Sequence, residues 1–187
     1  MDQLSTSERD ILRATVTLCQ EKGYDEVGLA AVAAATGVPE GRLNERWPTK
    51  SALVIDAFRA AVARDMAFPD TGDFAADLRT QLAAIARIFH DPALGPHLAR
   101  VVGEGQRDPD VAAQFIERVY TPNRAAALAR FQSAQAAGQL RSDIELDAAI
   151  DLAFAPFWFR LLVKSGAITE DYVNSVVDLA KRGLGVP

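Results

Sequence analysis

An all-α fold is what this sequence predicts, and three observations carry the prediction. Apolar residues recur at three- and four-residue spacing along most of the chain, the period of helices buried on one face. Alternating runs of β-branched residues, the strand signature, do not occur. The apolar stripes are separated by Gly and Pro, which close helices and turn the chain. Within that class, residues 37–50, GVPEGRLNERWPTK, are the stretch around which the rest is organised. Gly37 closes an alanine-rich segment, Val38 and Pro39 turn the chain, and residues 40–47 have room for about two helical turns before Pro48 stops them. Helix, tight turn, short helix and longer helix is the layout of a helix-turn-helix, whose short second helix enters the DNA major groove.

The elements follow in order. Ser5 or Ser7 caps a first helix that runs to Lys22, with Ile11, Leu12, Thr15, Leu18 and Cys19 on one stripe, and Gly23 ends it. Tyr24 and Val27 plug the small core from the following loop. A second helix covers residues 29–36, with Leu29, Val32 and Ala33 inward. In the third, Leu43 and Trp47 are spaced i, i+4 and both point to the core, which leaves Arg42, Asn44, Glu45 and Arg46 on other faces. Thr49 caps a fourth helix over residues 50–66, with Leu53, Val54, Ala57, Phe58 and Ala61 inward.

Pro69 and Gly72 mark the clearest linker, and residues 73–90 then form an amphipathic helix. Prolines and glycines break residues 91–110 into loops around one short helix over 96–104. Helical pattern resumes at Pro109 with Val111, Phe115, Val119 and Tyr120, and Pro122 kinks or divides it before a continuation to Ala137. A very apolar helix spans residues 146–163, Pro156 in its interior predicts a kink, and Gly166 ends it. Thr169 caps the last helix, where Tyr172, Val173, Val176, Val177 and Ala180 recur on one face. The expected domains are a three-helix helix-turn-helix over residues 1–49 and a larger helical ligand-binding and dimerisation domain over 50–187, joined by helix 50–66.

Charge limits how such a protein meets DNA. The chain is net −5, and residues 1–50 hold six Arg and Lys against eight Asp and Glu. Nucleic-acid affinity draws on positive charge, so binding must come from local placement and be weak away from a specific site. No apolar run approaches the ~18 residues of a membrane span. The polar, acidic N-terminus reads as neither signal nor transit peptide. Cys19 is alone and on the apolar side of its helix, which suits a buried structural thiol in a reducing cytoplasm. His90 and His97 lack the partners of a metal site, and neither a cofactor motif nor a nucleophile–base pair suggests an enzyme.

The pieces Arg9, Asp10, Ile11 and Leu12, then Glu21, Lys22, Gly23 and Tyr24, then Val32 and Ala33, then Gly37 through Leu43, then Trp47, Pro48, Thr49, Lys50 and Leu53 stand in an ordered pattern over about 45 residues. This pattern resembles the N-terminal domain of the TetR-type one-component transcriptional regulators. The body resembles their regulatory domain, chiefly at Gly138, Gln139 and Leu140, at Ala155 through Leu162, and at the helix from Tyr172 to Gly183. The resemblance implies a homodimer through the last two helices and a cavity whose occupancy changes the separation of two DNA-reading heads. It implies that Lys50 contacts the DNA backbone. Where the family has Ser or Thr, this chain has Gly28; where it has an aromatic residue, this chain has Asn44, so two backbone anchors differ.

The expected DNA-binding residues are therefore Arg42, Asn44, Glu45, Arg46, Lys50 and Gly28. The expected ligand-binding residues are Phe89, His97, Phe115, Tyr120, Phe154 and Trp158, with Gln106, Asn123 and Arg160 as polar groups of such a cavity. The reading is a ligand-responsive regulator of transcription, a repressor that leaves a palindromic operator when a small, largely apolar molecule binds. The competing reading is a helical small-molecule binding protein or co-regulator with weak or no DNA binding.

Overall fold

The computed structural model describes residues 6–63 and 65–185. Among these, ten α-helices are present and strands are absent, apart from one isolated bridge between Leu140 and Gly185. They are α1 (Thr6–Lys22), α2 (Leu29–Thr36), α3 (Glu40–Arg46), α4 (Lys50–Val62), α5 (Phe74–His90), α6 (Gly95–Gly105), α7 (Pro109–Phe115), α8 (Thr121–Ala136), α9 (Leu146–Val163) and α10 (Glu170–Leu184). A 3₁₀ turn, Tyr24–Glu26, follows α1, and a π-helical turn, Ile116–Tyr120, joins α7 to α8. Among the described residues no helix is long and apolar enough to cross a membrane.

Two compact units arise, each with its own core. The first gathers α1–α4 with α6, α7 and the π turn; the second gathers α5 with α8–α10. This grouping cuts the chain differently from a division at residue 49. Residues 51–58 of α4 are all buried, so α4 lies at the centre of the first unit, and the later segment Asp91–Tyr120 folds with it.

In the first unit α1 packs along α4, joining Ile11, Leu12, Leu18 and Cys19 to Leu53, Val54, Ile55 and Phe58. Burying each large aliphatic side chain contributes roughly 1.5–3 kcal/mol, which sets this pair of helices as the platform for α2 and α3. Cys19 is wholly buried, and desolvation pushes its thiol up to about 11, only partly offset by the charge of Lys50, so it stays an unreactive thiol at neutral pH. Val101 of α6 and Val111 of α7 complete the core.

In the second unit Phe74, Leu78, Leu82 and Ile85 of α5 meet Phe131 of α8, Phe157 of α9 and Val173, Val177 and Ala180 of α10. A buried ion pair crosses this core: Arg130 donates to Asp77 from Nε at 2.9 Å and Nη2 at 2.8 Å. Thr71 completes the shell of Asp77, donating from Oγ1 at 2.6 Å and from its backbone N–H at 3.0 Å. Both side chains are nearly inaccessible, at 3% and 2% exposure, so every carboxylate oxygen needs these donors.

Several expectations shift at element ends. Ser5 lies outside the described residues, and Ser7 is inside the first turn of α1. Helix α4 stops at Val62 rather than 66, and Ala61 is exposed because the buried face ends with Phe58. The helix begun at Pro109 is divided just before Pro122, as expected: a π turn, Ile116–Tyr120, ends α7, and Pro122 sits in the first turn of α8. Pro156 leaves α9 continuous, and that helix ends at Lys164 in the left-handed conformation (φ 55°), two residues ahead of Gly166.

Candidate nucleic-acid interface

The turn between α2 and α3 is built on Gly37, whose φ of 71° takes the left-handed conformation and lets its N–H return to Ala33 O at 2.9 Å. Pro39 then opens α3 as its N-cap. Inside α3, Leu43 and the following Trp47 are each 1% exposed and belong to the first unit's core. At 3.6 residues per turn, those two inward anchors place Gly41 and Glu45 on the opposite face, flanked by Arg42 and Asn44. Arg42, Asn44, Glu45 and Arg46 are all exposed. Thr49 caps α4, its hydroxyl oxygen accepting from Ala52 N at 3.1 Å, as the sequence predicts.

The cations differ in freedom. Arg46 donates from Nε to Glu8 of α1 at 3.2 Å, and its guanidinium carbon lies 5.3 Å from the centre of the Trp47 ring. Arg46 is exposed and Glu8 half-buried in that ion pair, so it contributes on the order of 1 kcal/mol or less and can yield to a phosphate. Lys50 is partly buried: Nζ donates to the Asp25 carbonyl at 3.3 Å and stands 4.2 Å above the Tyr24 ring. Tyr24 in turn donates its hydroxyl to Glu104 of α6. Burial first, then that bond and the charge of Glu104, push the phenol far above its ordinary range, so it remains a donor. Glu104 and the link from Arg100 to Asp25 at 3.3 Å tie α6 to the loop beneath Lys50; sequence spacing gave no sign of either.

Gly28 is the N-cap of α2 with extended backbone (φ −143°, ψ 173°) and without a side-chain cap bond. A Cβ at this position meets nothing within 4 Å, so the glycine answers neither a strained backbone nor crowding.

The expected ligand residues divide between the units. Phe89, Phe154 and Trp158 belong to the second, where Phe89 meets Trp158 edge-on at 5.0 Å between ring centres and Phe154 meets Phe68 at 6.2 Å. His97, Phe115 and Tyr120 belong to the first. His97 is 6% exposed beside Phe58, and desolvation, with the charge of Arg100, holds its pKa below the usual histidine value. Tyr120 is 46% exposed, against the expectation that it faces inward. Arg160 reaches the Ala167 carbonyl and covers the Tyr172 ring, closing the α9–α10 connection, and Gln106 is exposed. An open groove of about 380 Å³ in the second unit is lined by Phe74, Leu78, Arg79, Gln139, Val177 and Lys181 among others, and by none of the six expected ligand residues. Among the described residues there is no cluster of metal-ligating side chains.

Comparison with known proteins agrees with this architecture. Residues 11–57 match the family described as bacterial regulatory proteins, tetR family, and residues 68–180 match the tetracyclin repressor-like C-terminal domain. The chain is 28% identical over 178 residues to the uncharacterised HTH-type transcriptional regulator YdeS of Bacillus subtilis, covering 95% of this chain and 89% of that one. It is 29% identical to the HTH-type regulator Rv1556 of Mycobacterium tuberculosis, covering 93% of this chain and 85% of the other. The crystal structure of the TetR family transcription regulator SCO0332 superimposes with a TM-score of 0.86 at 30% identity, over 98% of this chain and all of that one.

Proposed function

Because the chain belongs to the TetR family of DNA-binding transcriptional regulators, we propose that it is a ligand-responsive repressor that reads a palindromic operator as a homodimer. The observation that carries the reading is α3 itself: Leu43 and Trp47 lock one side into the core, and every polar side chain left over is exposed. Arg42 and Asn44 are the base readers in this reading, Glu45 a selector for a cytosine amino group, and Arg46, Lys50 and the α2 N-terminus at Gly28 face the phosphates.

Helix α9 favours the dimer. Leu152, Phe159 and Val163 recur on one face and are 60%, 57% and 58% exposed, a stripe that water tolerates poorly; Leu179 of α10 is exposed as well. A second copy of α9 and α10 covers this stripe as a four-helix bundle. A small, largely apolar effector then enters the second unit beside Phe89, Phe154 and Trp158, and shifts the population toward a dimer with a different head spacing. The protein works in the cytoplasm, where its operator is. Membership of a DNA-binding family supports this reading over the competing binding-protein one.

Selection of bound fragments from random DNA tests the proposal. The expected result is a palindromic consensus whose half-sites lie about one helical turn, ~34 Å, apart. Recovery of no enriched duplex at low salt, or of a site without symmetry, overturns it.

A further inference from the structure

A seven-residue helix such as α3 cannot hold its own position, because helices this short are marginal without tertiary support. Its support ends at Trp47, whose N–H returns to Leu43 O at 2.7 Å and whose indole is 1% exposed. The one polar atom of that indole, Nε1, donates to Asp56 Oδ2 of α4 at 2.9 Å. The same oxygen accepts from Arg118 Nη1 at 3.2 Å. Arg118 lies on the π turn, 62 residues further along the chain.

Asp56 is unusual. It is 4% exposed, and its second oxygen, Oδ1, is buried without a hydrogen bond; Arg59 Nη2 stands 3.8 Å away. One oxygen thus carries all the hydrogen bonding of a buried carboxylate. Of its two hydrogen-bond donors only Arg118 brings the opposite charge; without it the buried carboxylate keeps the neutral indole as donor and the half-exposed Arg59, 3.8 Å away, as counter-charge, a weaker setting for a buried ion. Without Arg118 the group turns toward Arg59 or takes up water, and either moves the indole that anchors α3.

We propose that Arg118 and Asp56 are positioning residues for DNA reading: Arg118, carried on the π turn, holds α3 in register through the Asp56 carboxylate and the Trp47 indole. The proposal rests on α3 being the DNA-reading helix. It also gives the π turn a purpose, since such turns re-aim the side chains that follow the inserted residue and recur at functional sites.

The test uses the full chain with Arg118→Gln, Arg118→Lys, Asp56→Asn and the double variant Asp56→Asn/Arg118→Gln. The probes are the best duplex from random-DNA selection and a scrambled duplex of equal length, alongside amide hydrogen exchange without DNA. Arg118→Gln is expected to weaken the selected duplex about tenfold while changing the scrambled one less than about twofold. Exchange over residues 40–47 rises while α5 and α10 keep their protection, and Arg118→Lys restores most of both effects. In the double variant Arg118→Gln adds nothing to Asp56→Asn, because its route to α3 is already cut. Equal weakening of both duplexes with a salt slope reduced by about one would make Arg118 a phosphate contact and overturn the proposal. So would additive losses in the double variant, or unchanged exchange over residues 40–47. If selection yields no duplex, the DNA-reading premise fails separately, and the exchange arm alone decides whether Arg118 positions α3.

Discussion

Lys50 Nζ lies 4.2 Å above the Tyr24 ring and 3.3 Å from the Asp25 carbonyl oxygen, so the cation at the start of α4 is held by the loop before α2. A cation fixed beside free helix N–H groups acts on phosphate as a positioned charge and carries no base information. Lys50→Ala is therefore expected to weaken all duplexes about equally and lower the salt slope by about one. Arg42, exposed on α3, is expected to behave oppositely: Arg42→Ala costs roughly 1–3 kcal/mol at one base position and relaxes preference there. Binding titrations on matched and single-substituted duplexes at two salt concentrations separate the two. Equal, sequence-blind losses would reassign Arg42 to phosphate duty.

Gly28→Ser is expected to strengthen both fold and binding. The backbone at Gly28 is extended, which any residue adopts, and an added Cβ meets open space. A serine there caps α2, which has no side-chain cap, and removes the unfolded-state freedom of glycine, together contributing about 0.5–1 kcal/mol. Its hydroxyl also offers phosphate a donor. Urea midpoints and duplex affinity measure the two effects, and a variant less stable than the parent refutes the reading of Gly28 as a dispensable cap.

Glu45→Gln is expected to raise affinity for scrambled duplex several-fold, since Glu45 stands opposite the buried Leu43 and Trp47 and brings negative charge toward phosphates. Affinity for the selected site should rise less, because a carboxylate that accepts from a cytosine amino group is lost at the same time. An identical gain on both duplexes would remove Glu45 from base selection.

How much of this was legible in the sequence depended on distance along the chain. Gly37, Thr49 and Thr169 announce their turns and caps because those bonds close within three or four residues. Leu43 and Trp47 declare their face by i, i+4 spacing, and α9 stands out between 146 and 163 by its largely apolar composition. What spacing cannot reveal is pairing at long range. The folding of Asp91–Tyr120 with the first unit depends on links such as Tyr24 to Glu104, 80 residues apart, and Asp56 to Arg118. A signal was present in Asp56 and Arg130, charged residues set among apolar neighbours on helical stripes, but a sequence does not name their partners. The π turn and the left-handed Lys164 escaped for a related reason, since both take backbone forms that their residue types do not advertise.

The Asp77–Arg130 pair gives stability a defined acid limb. Burial alone would raise the Asp77 pKa, but the bonds from Thr71 and Arg130 and the charge of Arg130 outweigh it, so the folded value lies below the ordinary carboxylate value. The unfolded chain then binds the proton more readily than the folded one. The stabilisation is fully present above the unfolded value of ~3.9 and is lost as pH falls through the folded value. Asp77→Asn leaves the buried Arg130 guanidinium without its main counter-charge, with only Asp70 at 3.4 Å, and is expected to cost about 3 kcal/mol at pH 7. Denaturant unfolding of both proteins across the acid range checks this. The gap should hold from neutral pH down to about 4 and narrow below it, because protonation then removes from the parent the charge that the variant already lacks. A gap that stays constant as the parent carboxylate titrates would mean that Asp77 acts by shape and hydrogen bonding alone.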